Sequence, residues 1–338
     1  MKLPNNYIGI IGFFFSLGSV LSGFSFSNIV QRSKNKQKIL NIIIIVNIFL
    51  LLLLITIENP ILFMLAVFII GYLSPSLIGT NISESKNKGL TVSISSLGFI
   101  MGYLVGGMVG NFKTMLLVIA IQFALSLLLS YRFCLFSNNI QETNSTLDAF
   151  SILKKNWYIY LGLFLRHTGA ASIWLYLSYI LINNYNLNLT QIGILHAINI
   201  FIQTISNPLV YRFITPKNTL NFIAIGYVLS STYFVCFILS KNFIFLSFLQ
   251  VILGLSFTVL YLANIEYLSN KNEEKITSLA LLSSTFSMSN LVGALISSYI
   301  IKYGYVLLFI NGFVLSLASL LIILLAKKID RHQDQYQL

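Results

Sequence analysis

Arg166 and His167 stand side by side within an apolar run, WYIYLGLFLRHTGAASIWLYLSYIL (157–181). A guanidinium in such surroundings can act as counter-charge to an anionic group, and an imidazole can carry a proton near neutral pH. Further along, His196, Asn199, Gln203 and Asn207 recur at i, i+3, i+7 and i+11, which lines one helical face with hydrogen-bonding groups. Gln250, Gly254, Thr258 and Tyr261 share another face, and Ser283, Ser287 and Asn290 a third. Trp174 lies two turns beyond His167, where an indole could stack on a ligand ring. The chemistry on offer is recognition of a small solute, anionic or amphipathic. Its binding candidates are Arg166, His167, Trp174, His196, Asn199, Gln203, Gln250, Tyr261 and Asn290.

Each of these has a second reading. Arg166 can make a structural pair, for which Glu266 is the only carboxylate on offer in that half, or reach back toward a polar surface with its long side chain. The polar stripes can be glue between neighbouring helices. The histidines can be ordinary hydrogen-bonded side chains, and Trp174 a core or belt aromatic. The nine acids all fall in loops or at the ends of apolar runs, so no buried carboxylate for proton coupling is visible. No P-loop, HExxH or GxSxG occurs, which argues against ATP-driven pumping and hydrolysis, and no enzyme is expected. Cys134 and Cys236, both in apolar stretches, form neither a disulfide framework nor a metal site, and no cofactor is called for.

The composition fixes the kind of element that holds these side chains. The chain is 57% hydrophobic and only 9% charged, with a mean hydropathy of +0.84. Soluble domains carry roughly 25% charged residues, so the protein belongs in a lipid bilayer. The net charge of +12 resides in short loops between apolar runs, which marks membrane orientation and not a nucleic-acid partner.

Eleven runs are long enough to cross a hydrocarbon core of roughly 30 Å: about 7–30, 38–57, 60–82, 90–110 and 112–135, then 157–183, 190–214, 219–240, 243–268, 275–300 and 303–326. The polar stretch 136–156 separates them, so the expected organisation is an N-terminal helical half (1–135), a cytoplasmic central loop (136–156) and a C-terminal half with a short tail (157–338). With the basic loop from Arg32 to Lys38 in the cytoplasm, alternation puts sixteen of the 21 Lys and Arg residues inside and four outside, leaving Arg166 within a span. That asymmetry obeys the positive-inside rule and places the C-terminus in the cytoplasm.

Two stretches 184 positions apart read alike. Ile8-Gly9-Ile10 opens the first and Ile192-Gly193-Ile194 the second; Ser22-Gly23 and Ser206-Asn207 follow at matching positions, and each stretch runs into a basic loop. Such tandem halves are a layout of secondary transporters. The repeat aligns the opening span with the second helix of the later half. The chain is therefore expected to lack a first helix, through a start upstream of Met1 or a true count of eleven, which would leave Met1 outside.

With these features the chain resembles the major facilitator superfamily over nearly its whole length. The family's loop after the second helix, Gly-x-x-x-Asp-Arg-x-Gly-Arg-Arg, is present in a degenerate form: Asn28 at the first Gly, Arg32 at the Asp, Asn35 at the second Gly, and Lys36 and Lys38 at basic positions. Gly98, Gly102, Gly106, Gly107 and Gly110 match the spaced glycines of the family's fifth helix, where they serve close helix packing. The antiporter proline beside them is Tyr103 here. The resemblance implies an all-α, polytopic fold of two pseudo-repeated halves (five spans and six), with runs 41–57 and 115–129 facing lipid. It implies a monomeric secondary transporter of the plasma membrane, working on a small molecule by alternating access with ion or proton coupling. A non-transporting sensor or degenerate paralogue with the same fold is the alternative.

Overall fold

Uninterrupted apolar sequence leaves the backbone no polar partner but itself, so it must form helices inside a bilayer. The computed structural model describes residues 6–33, 35–57, 59–97, 112–133, 148–240 and 242–335, and every regular element among them is helical. In chain order these are α1 (Asn6–Phe24), α2 (Phe26–Arg32), α3 (Lys36–Thr56), α4 (Pro60–Ser83), α5 (88–97), α6 (Phe112–Phe133), α7 (Ala149–Lys155), α8 (Trp157–Tyr185), α9 (Leu189–Tyr211), α10 (Thr219–Leu239), α11 (Phe243–Lys271), α12 (Lys275–Ile300) and α13 (Tyr305–Gln335). Gly98, Gly102, Gly106, Gly107, Gly110 and most of the expected central loop (136–147) lie outside the described residues.

Local chemistry sets the ends. Pro60 begins α4 behind Asn59, whose side chain accepts from the Ile61 amide at 2.9 Å. Asn188 and Gln191 form a reciprocal capping box at α9, and Asn186, with φ +53°, closes α8 in the left-handed conformation that Asn tolerates. The first expected span is bent by 43° between α1 and α2. There the Ser25 hydroxyl donates back to the Leu21 carbonyl and Ser27 to that of Gly23, each at 2.8 Å. Such i−4 bonds open a helix on one side.

Among the described residues seven helices are long and apolar enough to cross a membrane, namely α3, α4 and α9 to α13, and the bent α1–α2 pair makes an eighth. At 29 residues α8 reaches about 43 Å, and Arg166, His167 and its terminal asparagines lower its apolarity. Large apolar side chains stay exposed in helical register: Ile42, Ile45, Phe49 and Leu52 on α3, and Leu117, Ile121, Leu125 and Leu128 on α6. Stripes of that kind are stable against lipid tails and not against water.

The helices gather into two packed units. The first comprises Met1–Ser85, Met101–Lys154 and Asn272–Ser287; the second comprises Lys86–Ile100, Lys155–Lys271 and Met288–Leu338. In the first, Gly18 and Gly71 bring α1 and α4 into backbone contact, since a Cβ on Gly71 would fall 2.1 Å from the Phe15 carbonyl oxygen. Leu50, Leu54, Phe63, Ala66, Leu116 and Ala120 pack α3, α4 and α6 together. In the second, Gly169 faces Gly312 where α8 meets α13, and Ile173, Leu177, Phe234, Phe237, Leu253 and Phe309 form the core of α8, α10, α11 and α13. Each unit thus holds a segment from the other half of the sequence: α5 joins the second unit, and the first half of α12 joins the first.

Candidate functional site

Most of the polar residues singled out from the sequence fall into three groups, each inside the second unit. Arg166 is fully buried on α8. Its Nε donates to the Ser230 hydroxyl of α10 at 2.9 Å, Ser230 lies 2.6 Å from the Ser256 hydroxyl of α11, and Ser256 donates to the Gly226 carbonyl at 2.9 Å. Because the single proton of Ser256 goes to Gly226, Ser230 must donate to Ser256. The run is therefore directed from the cation to a backbone carbonyl. Glu266, the carboxylate the sequence offers as a partner, is engaged elsewhere, with Lys88.

The second group joins α8 to the later part of α12. The His167 ring meets the Trp174 indole edge-to-face at 5.3 Å, and Asn290 reaches the imidazole with its side chain. His167 is buried, whereas the Trp174 indole is 38% exposed, so the ring pair runs from interior to surface.

The third group joins α9 to α11. The Gln203 side-chain amide donates to Asn199 Oδ1, and Asn199 Nδ2 donates to Gln250 Oε1 at 3.2 Å. Gly254, one turn from Gln250, permits this: a Cβ there would come 2.8 Å from the Asn199 backbone oxygen. Tyr233 of α10 lies beside the Gln250 side chain and within electrostatic range of Arg166, so the first and third groups adjoin. His196 is half-buried at the start of the same stripe, and Tyr261 stacks on Phe257 at 5.4 Å.

The stripes divide more finely than their spacing suggests. On α9, Asn199 and Gln203 turn to α11, while Asn207 donates to Ser96 of α5 at 3.5 Å. On α12, Ser287 donates to the Ser19 hydroxyl at 2.7 Å within the first unit, whereas Asn290 belongs to the second.

The family model described as "Major Facilitator Superfamily" matches residues 159–337, which takes in α8 to α13 and all three groups. The chain belongs to that superfamily. It is a multi-pass membrane protein of a transporter family, a class that points away from enzymatic catalysis. Among solved structures the fold is similar to that of the human organic anion transporter MFSD10 (TETRAN), with a TM-score of 0.70 and 15% identity, over 96% of this chain and 86% of that one. No curated protein sequence matches the chain significantly.

The degenerate superfamily loop is a structural joint here. Asn35 caps α3 by accepting from the Lys38 amide at 2.9 Å, and Lys36 pairs with Glu84 at 2.9 Å. Arg32 and Lys38 are exposed. Asn28 accepts from the Thr277 hydroxyl at 3.1 Å, and Gln31 accepts from the Ile276 amide at 2.8 Å. These two bonds, with Ser284 donating to the Ser19 carbonyl at 2.6 Å, stitch the start of α12 into the first unit. Beyond the spans, Asp148 caps α7; its hydrogen bonds from Ser151, more than the charge of Arg32, hold its carboxyl below the usual carboxylate range.

The corresponding joint in the second unit carries charge. Lys88 at the start of α5 lies 2.9 Å from Glu266 of α11; Tyr211 of α9 donates to the same carboxylate oxygen, and Asn270 donates to the other. Ser93 of α5 donates to the Thr204 carbonyl at 2.6 Å. None of Tyr211, Ser230 or Ser256 stands out in the sequence, because hydroxyls recur throughout it.

Proposed function

We propose that the protein is a secondary active transporter that moves a small solute by alternating access, with its recognition chemistry concentrated in the second half. The observation that carries this reading is the exchange of segments between the units, α5 into one and the start of α12 into the other. Both joints are made of hydrogen bonds, small residues and one ion pair, contacts that can be made and broken without unfolding a core. By the distribution of Lys and Arg, both lie at the cytoplasmic ends of their helices. Their closure corresponds to a state sealed on the cytoplasmic side, and their opening to release or uptake there.

Within that cycle, Asn199, Gln203 and Gln250 offer hydrogen bonds to a polar solute, and Trp174 with His167 offers an aromatic surface. Together these groups suit an amphipathic or anionic solute. The organic-anion description of a structural neighbour is compatible with this choice. With Glu266, near the cytoplasmic end of α11, already held by Lys88, coupling to protons would fall to His167 or His196.

Spin labels at exposed Lys86 and Lys217, read by pulsed electron resonance in reconstituted membranes, test the mechanism. Two distance populations should appear, and their ratio should shift when small carboxylates and sulfonates are supplied in turn. One fixed distance under all conditions would rule out alternating access.

A further inference from the structure

Arg166 presents a charge that no carboxylate among the described residues is paired with. A guanidinium has five N–H donors. The Nε donor is committed to Ser230, and neither Nη1 nor Nη2 has a hydrogen-bond partner among the described residues. The direction of the serine run leaves neither hydroxyl proton to spare, since Ser230 gives its own to Ser256 and Ser256 to Gly226. The Tyr227 hydroxyl of α10, also fully buried and also without a partner among the described residues, lies within electrostatic range of the guanidinium. What converges here is a surplus of donors around a positive charge. The carboxylate of Glu266 is occupied by Lys88, Tyr211 and Asn270. A neutral guest would satisfy the donors and leave the charge; an anion satisfies both.

Size narrows the guest. A Cβ on Gly162 of α8 would fall 2.9 Å from the Tyr227 hydroxyl, and one on Gly226 of α10 would fall 2.9 Å from the Leu260 Cβ of α11. The three helices are thus in close contact beside the guanidinium, which favours a small guest over the body of an organic molecule. We propose that Arg166 and Tyr227 form a buried site for a small inorganic monovalent anion, of which chloride is the type a cell supplies. Bound there, the ion neutralises α8 where it packs on α10 and α11, a role separate from recognition of the transported solute by Asn199, Gln203 and Gln250. It does not depend on the transport reading, because the test measures no transport.

The full chain, purified in detergent, is unfolded thermally at constant ionic strength in chloride, in bromide and in gluconate. Chloride and bromide should raise the midpoint by roughly 2–4 °C over gluconate, as a ligand specific to the folded state does. Tyr227→Phe, which removes one hydroxyl and keeps the ring, should lose most of that shift. Arg166→Gln should lose all of it and unfold no earlier than wild type in gluconate, because the uncompensated charge is gone. Equal wild-type midpoints in halide and gluconate overturn the proposal. So does a full halide shift retained in Tyr227→Phe or in Arg166→Gln, which would locate the effect elsewhere on the protein.

Discussion

The joint at α5 and the joint at the start of α12 do the same work with different chemistry. At α5, Lys88 and Glu266 face each other across 2.9 Å with side chains only 14% and 12% exposed, and Tyr211 and Asn270 complete the carboxylate's bonds. At α12 the corresponding bonds are neutral: Gln31 to the Ile276 amide, Asn28 to Thr277, Ser284 and Ser287 to Ser19. A mostly buried ion pair is strong but depends on geometry and, in part, on salt, while neutral bonds between small groups are individually weak and insensitive to salt. A repeated fold can therefore close two equivalent joints with unequal strength. The charged one should be the costlier of the two to break.

Gly89→Leu breaks the comparison most severely. A Cβ at that position already meets Tyr211 Cβ at 2.6 Å and the Asn207 carbonyl at 2.8 Å. The larger side chain should hold the α5 joint open at a cost of about 3 kcal/mol. Thermal unfolding and the Lys86–Lys217 label distance would both register it. Glu266→Gln comes next, at about 2 kcal/mol, because Lys88 is left half-buried without its counter-charge. Gln31→Ala should cost about 1 kcal/mol by orphaning the buried Ile276 amide, and Thr277→Val about 0.5 kcal/mol. Added salt sharpens the contrast: it should shrink the difference between Glu266→Gln and wild type in thermal unfolding and leave that of Gln31→Ala unchanged. An equal salt response in both variants would mean that the joints are not electrically different.

Much of the fold is legible in the chain because each span carries its own instructions. Pro60 behind Asn59 starts a helix, Asn188 with Gln191 caps another, and the apolar runs between them have the length of a bilayer. The bend at Ser25 is less legible, since serine is common in these helices and only one facing Tyr72 at 2.8 Å is held in that geometry. Within the candidate site, the sequence supplies Arg166 and the α9 stripe through their rarity in apolar surroundings. It supplies none of their partners: Ser230 lies 64 residues from Arg166, and Gln250 lies 51 from Asn199. The α9 face reads as one surface, yet Asn199 meets α11 and Asn207 meets α5.

By itself, the sequence determined the membrane class, the helical spans and the presence of a costly charge at Arg166. These follow from local hydropathy and from the price of an unpaired backbone or guanidinium in hydrocarbon. Only the tertiary structure decided that Glu266 answers Lys88 and not Arg166, that Ser230 and Ser256 drain one bond of the guanidinium toward Gly226, and that α5 and the start of α12 change sides. Those outcomes depend on which helices approach closely, and that is set by glycines such as Gly89, Gly162 and Gly254, whose neighbours are distant in sequence.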